Sequence, residues 1–173
     1  MIPDIKRVLF ATDLSENSRH AFHYAAAIAS RFSADMILIH VLESAPHGVQ
    51  EQLKALLGEE KWGEMQEEHQ QSARDALIGK RTDYDLIRRA LDRLCTDANE
   101  ANARCSFAAV EVLVTQGKAA ERILEAATDK HCDLVVLGAH KGLLGKTAVG
   151  TIAKAVLHGS RVPVVVVPPP APS

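Results

Sequence analysis

Apolar residues gather in five short runs along the chain, at 7–11 (RVLFA), 36–41 (MILIHV), 107–114 (FAAVEVLV), 134–137 (LVVL) and 162–167 (VPVVVV). Three of these runs are nearly continuous in Val, Ile and Leu, the pattern of strands covered by helices on both faces. A parallel sheet is the expectation. Between the first two runs, Glu16 to Phe32 is alanine-rich and sets Phe22, Ala25, Ala26 and Ala29 at helical spacing behind Ser15, a residue suited to cap a helix. Lys118 to Lys130 follows Gly117 and repeats the pattern, with Ile123, Leu124 and Ala127 on one stripe and Glu121 and Arg122 outside it. A last helix is expected from Thr151 to His158, with Gly159 as its C-terminal cap. The alternation of strand and helix predicts right-handed crossovers and a doubly wound α/β sheet with helices on both faces.

The 173 residues read as one domain, 1–173, with an enlarged helical insert at about 44–106 and a proline-rich tail at 168–173 (PPPAPS). Within the insert, Gln66 to Ile78 is compatible with a helix and Gly79 breaks it. Asp83 to Asn99 places Tyr84, Ile87, Leu91, Leu94 and Ala98 on one face. Ahead of them, Glu59 to Glu68 sets five glutamates around Trp62, a solvated acidic face whose alternative is a docking surface for a protein partner.

Charge narrows the functional classes. Charged residues are 24% of the chain and the net charge is −2, so the basic excess that nucleic acid requires is missing. No apolar stretch approaches the length that crosses a bilayer, and Met1 to Phe10 lacks a signal-peptide pattern; a cytoplasmic protein without membrane contact is expected. Cys95, Cys105 and Cys132 form no Cys-x-x-Cys pair and are odd in number, so packed, reduced thiols are favoured over a disulfide framework or a redox pair. His20 and His23 share a helix face without a third ligand in view, and no metal site is expected.

In an open parallel sheet, ligands collect beyond the carboxyl ends of the strands where the strand order reverses. The first strand ends in Ala11-Thr12-Asp13-Leu14-Ser15, the second in His40-Val41-Leu42, and the fourth in Gly138-Ala139-His140-Lys141-Gly142. From Gly138 the chain reads GAHKGLLGKTAVGT, with glycines at 138, 142, 145 and 150 before Thr151 opens a helix. Glycines admit positive φ and close backbone approach, so amides can converge on an anion that the helix dipole also favours. Lys141 and Lys146 add point charges to such a loop. Gly145-Lys146-Thr147 is not a Walker A ending, because His140 stands where that motif needs its first glycine. Asp13 has a second reading as a cap for the helix that follows it.

This loop, with Thr151 to Leu157, the terminal Arg161 to Val167, the opening Lys6 to Ser15 and the strand Ile37 to Val41, resembles the universal stress protein family. The resemblance spans both ends and leaves the middle insert outside. It implies a Rossmann-like, adenine nucleotide alpha hydrolase-like fold with a five-stranded sheet of order 3-2-1-4-5, and a site for ATP, or for ADP or AMP, with Mg2+ accompanying a triphosphate. By the same resemblance Asp13 and Val41 hold the adenosine end, Gly138 the ribose, and His140, Lys141, Gly142, Gly150, Thr151 and Ile152 the phosphates, with Ala11, Thr12 and Leu137 beside them. The family's ATP-binding members carry Gly, two residues, Gly, nine residues, then Gly with Ser, Thr or Asn. Here Lys141 stands at the second glycine and Gly150 arrives one residue early, unless Gly142 takes that place.

Three functions compete. The first is a regulatory nucleotide-binding module for stress response, with ATP hydrolysis slow at most, since no Ser-His-Asp set or carboxylate pair gathers near the loop. The second is a nucleotide-free interaction protein with a decayed site. The third is an adenylyl-transferring or ATP-pyrophosphatase domain, and its His-x-Gly-His and Ser-Gly-Gly-x-Asp-Ser signatures are absent after the first strand. The last strand, Val162 to Val167, is too apolar for a bare sheet edge, and the resemblance implies a homodimer paired through it. Pro163 removes one donor from that edge.

Overall fold

The computed structural model describes residues 4–43, 49–65, 67, 83–101, 108–141 and 147–170. The elements run β1 (Arg7–Thr12), α1 (Glu16–Phe32), β2 (Asp35–Leu42), α2 (Val49–Leu57), α3 (Asp83–Ala101), β3 (Ala108–Gln116), α4 (Ala119–Asp129), β4 (Leu134–Gly138), β5 (His140–Lys141), β6 (Thr147–Ala148), α5 (Thr151–Gly159) and β7 (Val164–Val167). The main sheet is parallel throughout, in the order β3-β2-β1-β4-β7. With β7 as the fifth strand of that sheet, this is the expected order 3-2-1-4-5.

Period-two alternation in β1, β2 and β4 builds two cores from one sheet. Val8, Phe10, Met36, Leu38, Leu134 and Val136 face α1, α2 and α3. Leu9, Ala11, Ile37, Ile39, Val135 and Leu137 face α4 and α5. Because both faces are covered, neither set is polar, which is why the runs read as continuous. On α1 the expected Phe22, Ala25, Ala26 and Ala29 are all buried, and the small alanines let Phe22 meet Phe10 edge-on, with ring centroids 5.6 Å apart. Ser15 caps α1 as expected, its Oγ accepting from the Ser18 amide at 3.2 Å.

The insert contributes to the first core. Ile87, Leu91 and Leu94 of α3 are buried and Ala98 is partly so, while Trp62, in helical backbone at 59–65, is half-buried against the same cluster. Part of the acidic run is held by ion pairs, Glu59 with Lys54 at 2.8 Å and Glu64 with Arg93 at 2.7 Å. Gln66 to Ile78 as a helix and Gly79 as its break lie outside the described residues.

Near the C-terminus, the cap of α5 and the start of the last strand depart from expectation. Gly159 is the last residue of α5 and not its cap; Ser160 takes that place, donating its amide to the Val156 carbonyl. A Cβ at Gly159 would lie 2.6 Å from Leu124 Cδ1 on α4, so a side chain there would displace that methyl group. The last strand begins at Val164, because Pro163 cannot donate to a ladder; its carbonyl still accepts the Val135 amide at 3.0 Å.

Candidate functional site

The turn after β1 is built by its own side chains. Thr12 Oγ1 accepts the Leu14 amide at 3.0 Å, and Asp13 Oδ1 accepts the Ser15 amide at 3.0 Å. The Asp13 amide donates to Ser18 Oγ at 3.2 Å, and the Ser18 hydroxyl donates back to Asp13 Oδ1. These bonds hold Leu14 at φ 63°, in the left-handed region that a branched side chain avoids, with its side chain fully buried. Full burial of that leucine, worth about 1.5–3 kcal/mol, offsets a backbone cost of order 1–3 kcal/mol. Both readings of Asp13 therefore meet in one residue: it ties the turn to α1, and it stands exposed at the tip of β1.

Beyond the strand tips lies a cavity of about 600 Å³, in the range of small-molecule sites. Nine of the expected residues line it: Ala11, Thr12, Asp13, Val41, Leu137, Gly138, Gly150, Thr151 and Ile152. They come from β1, β2, β4 and the start of α5, so the switch point between β1 and β4 forms one wall. The backbone of His140 and Lys141 belongs to β5, which pairs antiparallel with β6, His140 opposite Ala148 and Lys141 opposite Thr147. Gly142 lies outside the described residues, as do Gly145 and Lys146.

Gly138 sits where a side chain would crowd the exit from β4: a Cβ would lie 3.3 Å from Asn17 Nδ2 and 3.5 Å from Ala21 Cβ. The next residue, Ala139, is held from both sides, its amide donating to the Val167 carbonyl at 2.7 Å and its carbonyl accepting from Asn17 Nδ2. At the other end of the loop, Gly150 is the N-cap of α5 and offers no side-chain cap. The first-turn amides of a helix have no intrahelical acceptor, and those of Thr151, Ile152 and Ala153 belong to residues that line the cavity.

Three residues outside the expected set also matter. His40 is buried, and its Nδ1 donates to the Thr12 carbonyl across the strand pair at 2.9 Å. Burial holds its pKa below the ordinary histidine value, against the opposing pull of that bond and of the Asp13 carboxylate. Glu43, just past β2, reaches α4 and accepts the Ala119 amide on Oε1 at 2.8 Å. Asn17 anchors the loop as described. Their partners lie 28, 76 and 122 residues away, so only the fold reveals these roles.

Burial pushes the Cys95 thiol up to about 12 and the Cys132 thiol to about 11, which leaves both inert. Cys105 lies outside the described residues. His20 stacks edge-on with Tyr24, and burial and the nearby Arg19 lower the pKa of His23. Among the described residues no group of three or more His, Cys, Asp or Glu could hold a metal ion, and no described helix is long and apolar enough to cross a membrane.

Residues 4–168 match the family model described as the universal stress protein family. A universal stress protein of Methanocaldococcus jannaschii is 24% identical over 164 residues, 94% of each chain. Two solved structures share the fold: a universal stress protein in complex with cAMP (19% identity, TM-score 0.55, 95% of this chain and 98% of that one), and one from Archaeoglobus fulgidus in complex with dAMP (15%, 0.53, 95% and 98%).

Proposed function

The chain belongs to the universal stress protein family, and on that premise we propose that it is a cytoplasmic regulatory module that binds an adenine nucleotide, ATP first among them, with little or no turnover. One observation carries the reading: one cavity is lined by the first turn of α5, whose amides lack intrahelical acceptors, and by the acceptor-bearing residues Asp13, His40 and Glu43 at the β1 and β2 tips. A nucleotide has that polarity, an anion at one end and hydroxyl and amine donors at the other. The relatives solved with cAMP and dAMP support the adenine class.

In this reading Asp13 and Val41 take the adenosine end and Gly138 the ribose, with Ala11, Thr12 and Leu137 beside them. His140, Lys141, Gly142, Gly150, Thr151 and Ile152 receive the phosphates. A triphosphate would bring its Mg2+ held largely by phosphate oxygens and water. Slow turnover is expected because no Ser-His-Asp set or carboxylate pair gathers near the loop in the sequence.

Thermal unfolding with and without Mg-ATP tests the reading. At a hundred times its Kd the ligand adds about 2.7 kcal/mol to the folded state, a readily measured rise in Tm. An unmoved Tm with saturating ATP, ADP and AMP would instead favour an interaction protein whose site has decayed, the reading that Lys141 in place of the family's second glycine supports.

We further propose that β7, an edge of the sheet with Val164, Val165 and Val166 only partly covered, pairs with its twin in a homodimer.

A further inference from the structure

Two helices aim their N-termini at the same cavity. Ala119 opens α4 and Thr151 opens α5, and both residues line the space beyond the strand tips. The first-turn amides of a helix lack intrahelical acceptors and its N-terminus carries about half a positive charge, so each of these two ends is suited to an anion. Neither is capped by its own N-cap side chain: Lys118 and Gly150 make no such bond. Left at that, a nucleotide could lie either way round.

The difference lies at the tip of β2. Glu43 crosses from the tip of that strand and seats its carboxylate on the Ala119 amide at 2.8 Å, so the protein's own anion occupies the α4 site. Beside it on the same strand, His40 is only 7% exposed and also lines the cavity. Because the Thr12 carbonyl can only accept, His40 Nδ1 must carry the proton, which leaves Nε2 of the neutral ring with a lone pair. Two polar groups with different partners therefore give the β2 end acceptor character, and Asp13 at the tip of β1 adds a third.

We propose that Glu43 is a specificity-determining residue that fixes the direction of the nucleotide, filling the α4 N-terminus so that phosphate is admitted only at α5. The inference rests on the nucleotide reading and extends it. Glu43 excludes anions from the β2 end in two ways, by covering the Ala119 amide and by placing a like charge there. The neutral, donor-bearing end of the ligand is then the part that fits against His40 and Asp13. No step of chemistry is assigned to Glu43; it acts through orientation.

The experiment follows backbone amides of the full chain by 15N–1H NMR during titration with inorganic phosphate and, separately, with ATP. In the wild type both ligands are expected to shift Thr151 and Ile152, and phosphate is expected to leave Ala119 unmoved. In Glu43→Ala, phosphate is expected to shift Ala119 as well, and stoichiometry by calorimetry to rise from one phosphate to two. Glu43→Gln keeps an acceptor over the amide without the charge, so Ala119 should stay unmoved while phosphate at Thr151 binds no more weakly than in wild type. A shift of Ala119 by phosphate in the wild type, or an Ala119 unmoved by phosphate in a folded Glu43→Ala, overturns the proposal. Silence of Thr151 and Ile152 toward ATP in the wild type, by contrast, removes the nucleotide reading on which it stands.

Discussion

His40 shows how one buried side chain can carry a pH dependence for the fold. Its pKa is lowered from 6.5, first by burial, and only partly restored by the Thr12 carbonyl and the Asp13 carboxylate. Above pH 6.5 neither the folded nor the unfolded chain protonates it, so it contributes no slope. As the pH falls below 6.5 the unfolded chain takes up a proton that the folded chain refuses, and stability drops, by at most the one-proton slope of about 1.4 kcal/mol per pH unit. His40→Gln, which keeps a donor for the Thr12 carbonyl and does not titrate, should lose this share of the slope. Denaturant unfolding of both proteins between pH 7.5 and 5 checks it, and an identical slope would contradict the assignment. Asn17 belongs to the same scale. Asn17→Ala removes the donor to the Ala139 carbonyl, and a loss of about 1 kcal/mol with weaker ATP binding is expected from unfolding and calorimetry.

Among the elements, α1 is the one whose making is plainest. Ser15 supplies its cap, Ser33 at φ 54° ends it, with the Ala34 amide returning to the Ala29 carbonyl at 2.8 Å, and the alanine face brings it close to the sheet. Ser15→Ala should cost about 1 kcal/mol, read as a shift of the denaturant midpoint without change in m. A midpoint that does not move would mean that the Asp13 and Ser18 bonds suffice to hold the turn. The strands and α1 were legible because burial on both faces leaves a continuous apolar run and helical spacing leaves a stripe. The strand order was not: periodicity says which residues are strand, and the order 3-2-1-4-5 came from the resemblance of the strand ends and glycine loop to a family. Short β5 and β6 were missed because two-residue strands inside a polar loop leave no period. Asp13, Gly138 and Thr151 could be found as strand-end and loop residues. His40 could be placed at a strand end but, like Glu43 and Asn17, given no role, because an isolated Glu, His or Asn gains meaning only from the distant backbone atom that it meets.

At the scale of the molecule, the sheet has two unequal edges. β3 is nine residues long and β7 four, and Val165 of β7 packs partly against the first core while leaving its strand unpaired on one side. Val165→Lys puts a charge on that edge, and light scattering should show a larger monomer fraction; an unchanged dimer would place the interface elsewhere. The cavity is the other whole-molecule feature, since its walls come from both ends of the chain, residues 11–13 and 150–153 among them. The most direct test of what it holds is a crystal grown with Mg-ATP. The expected result is electron density for the nucleotide beside Gly138, phosphates on the Thr151 and Ile152 amides and the adenosine end toward Asp13 and Val41. Clear density for an empty, water-filled cavity at saturating ATP, or for ATP bound elsewhere on the chain, would contradict it.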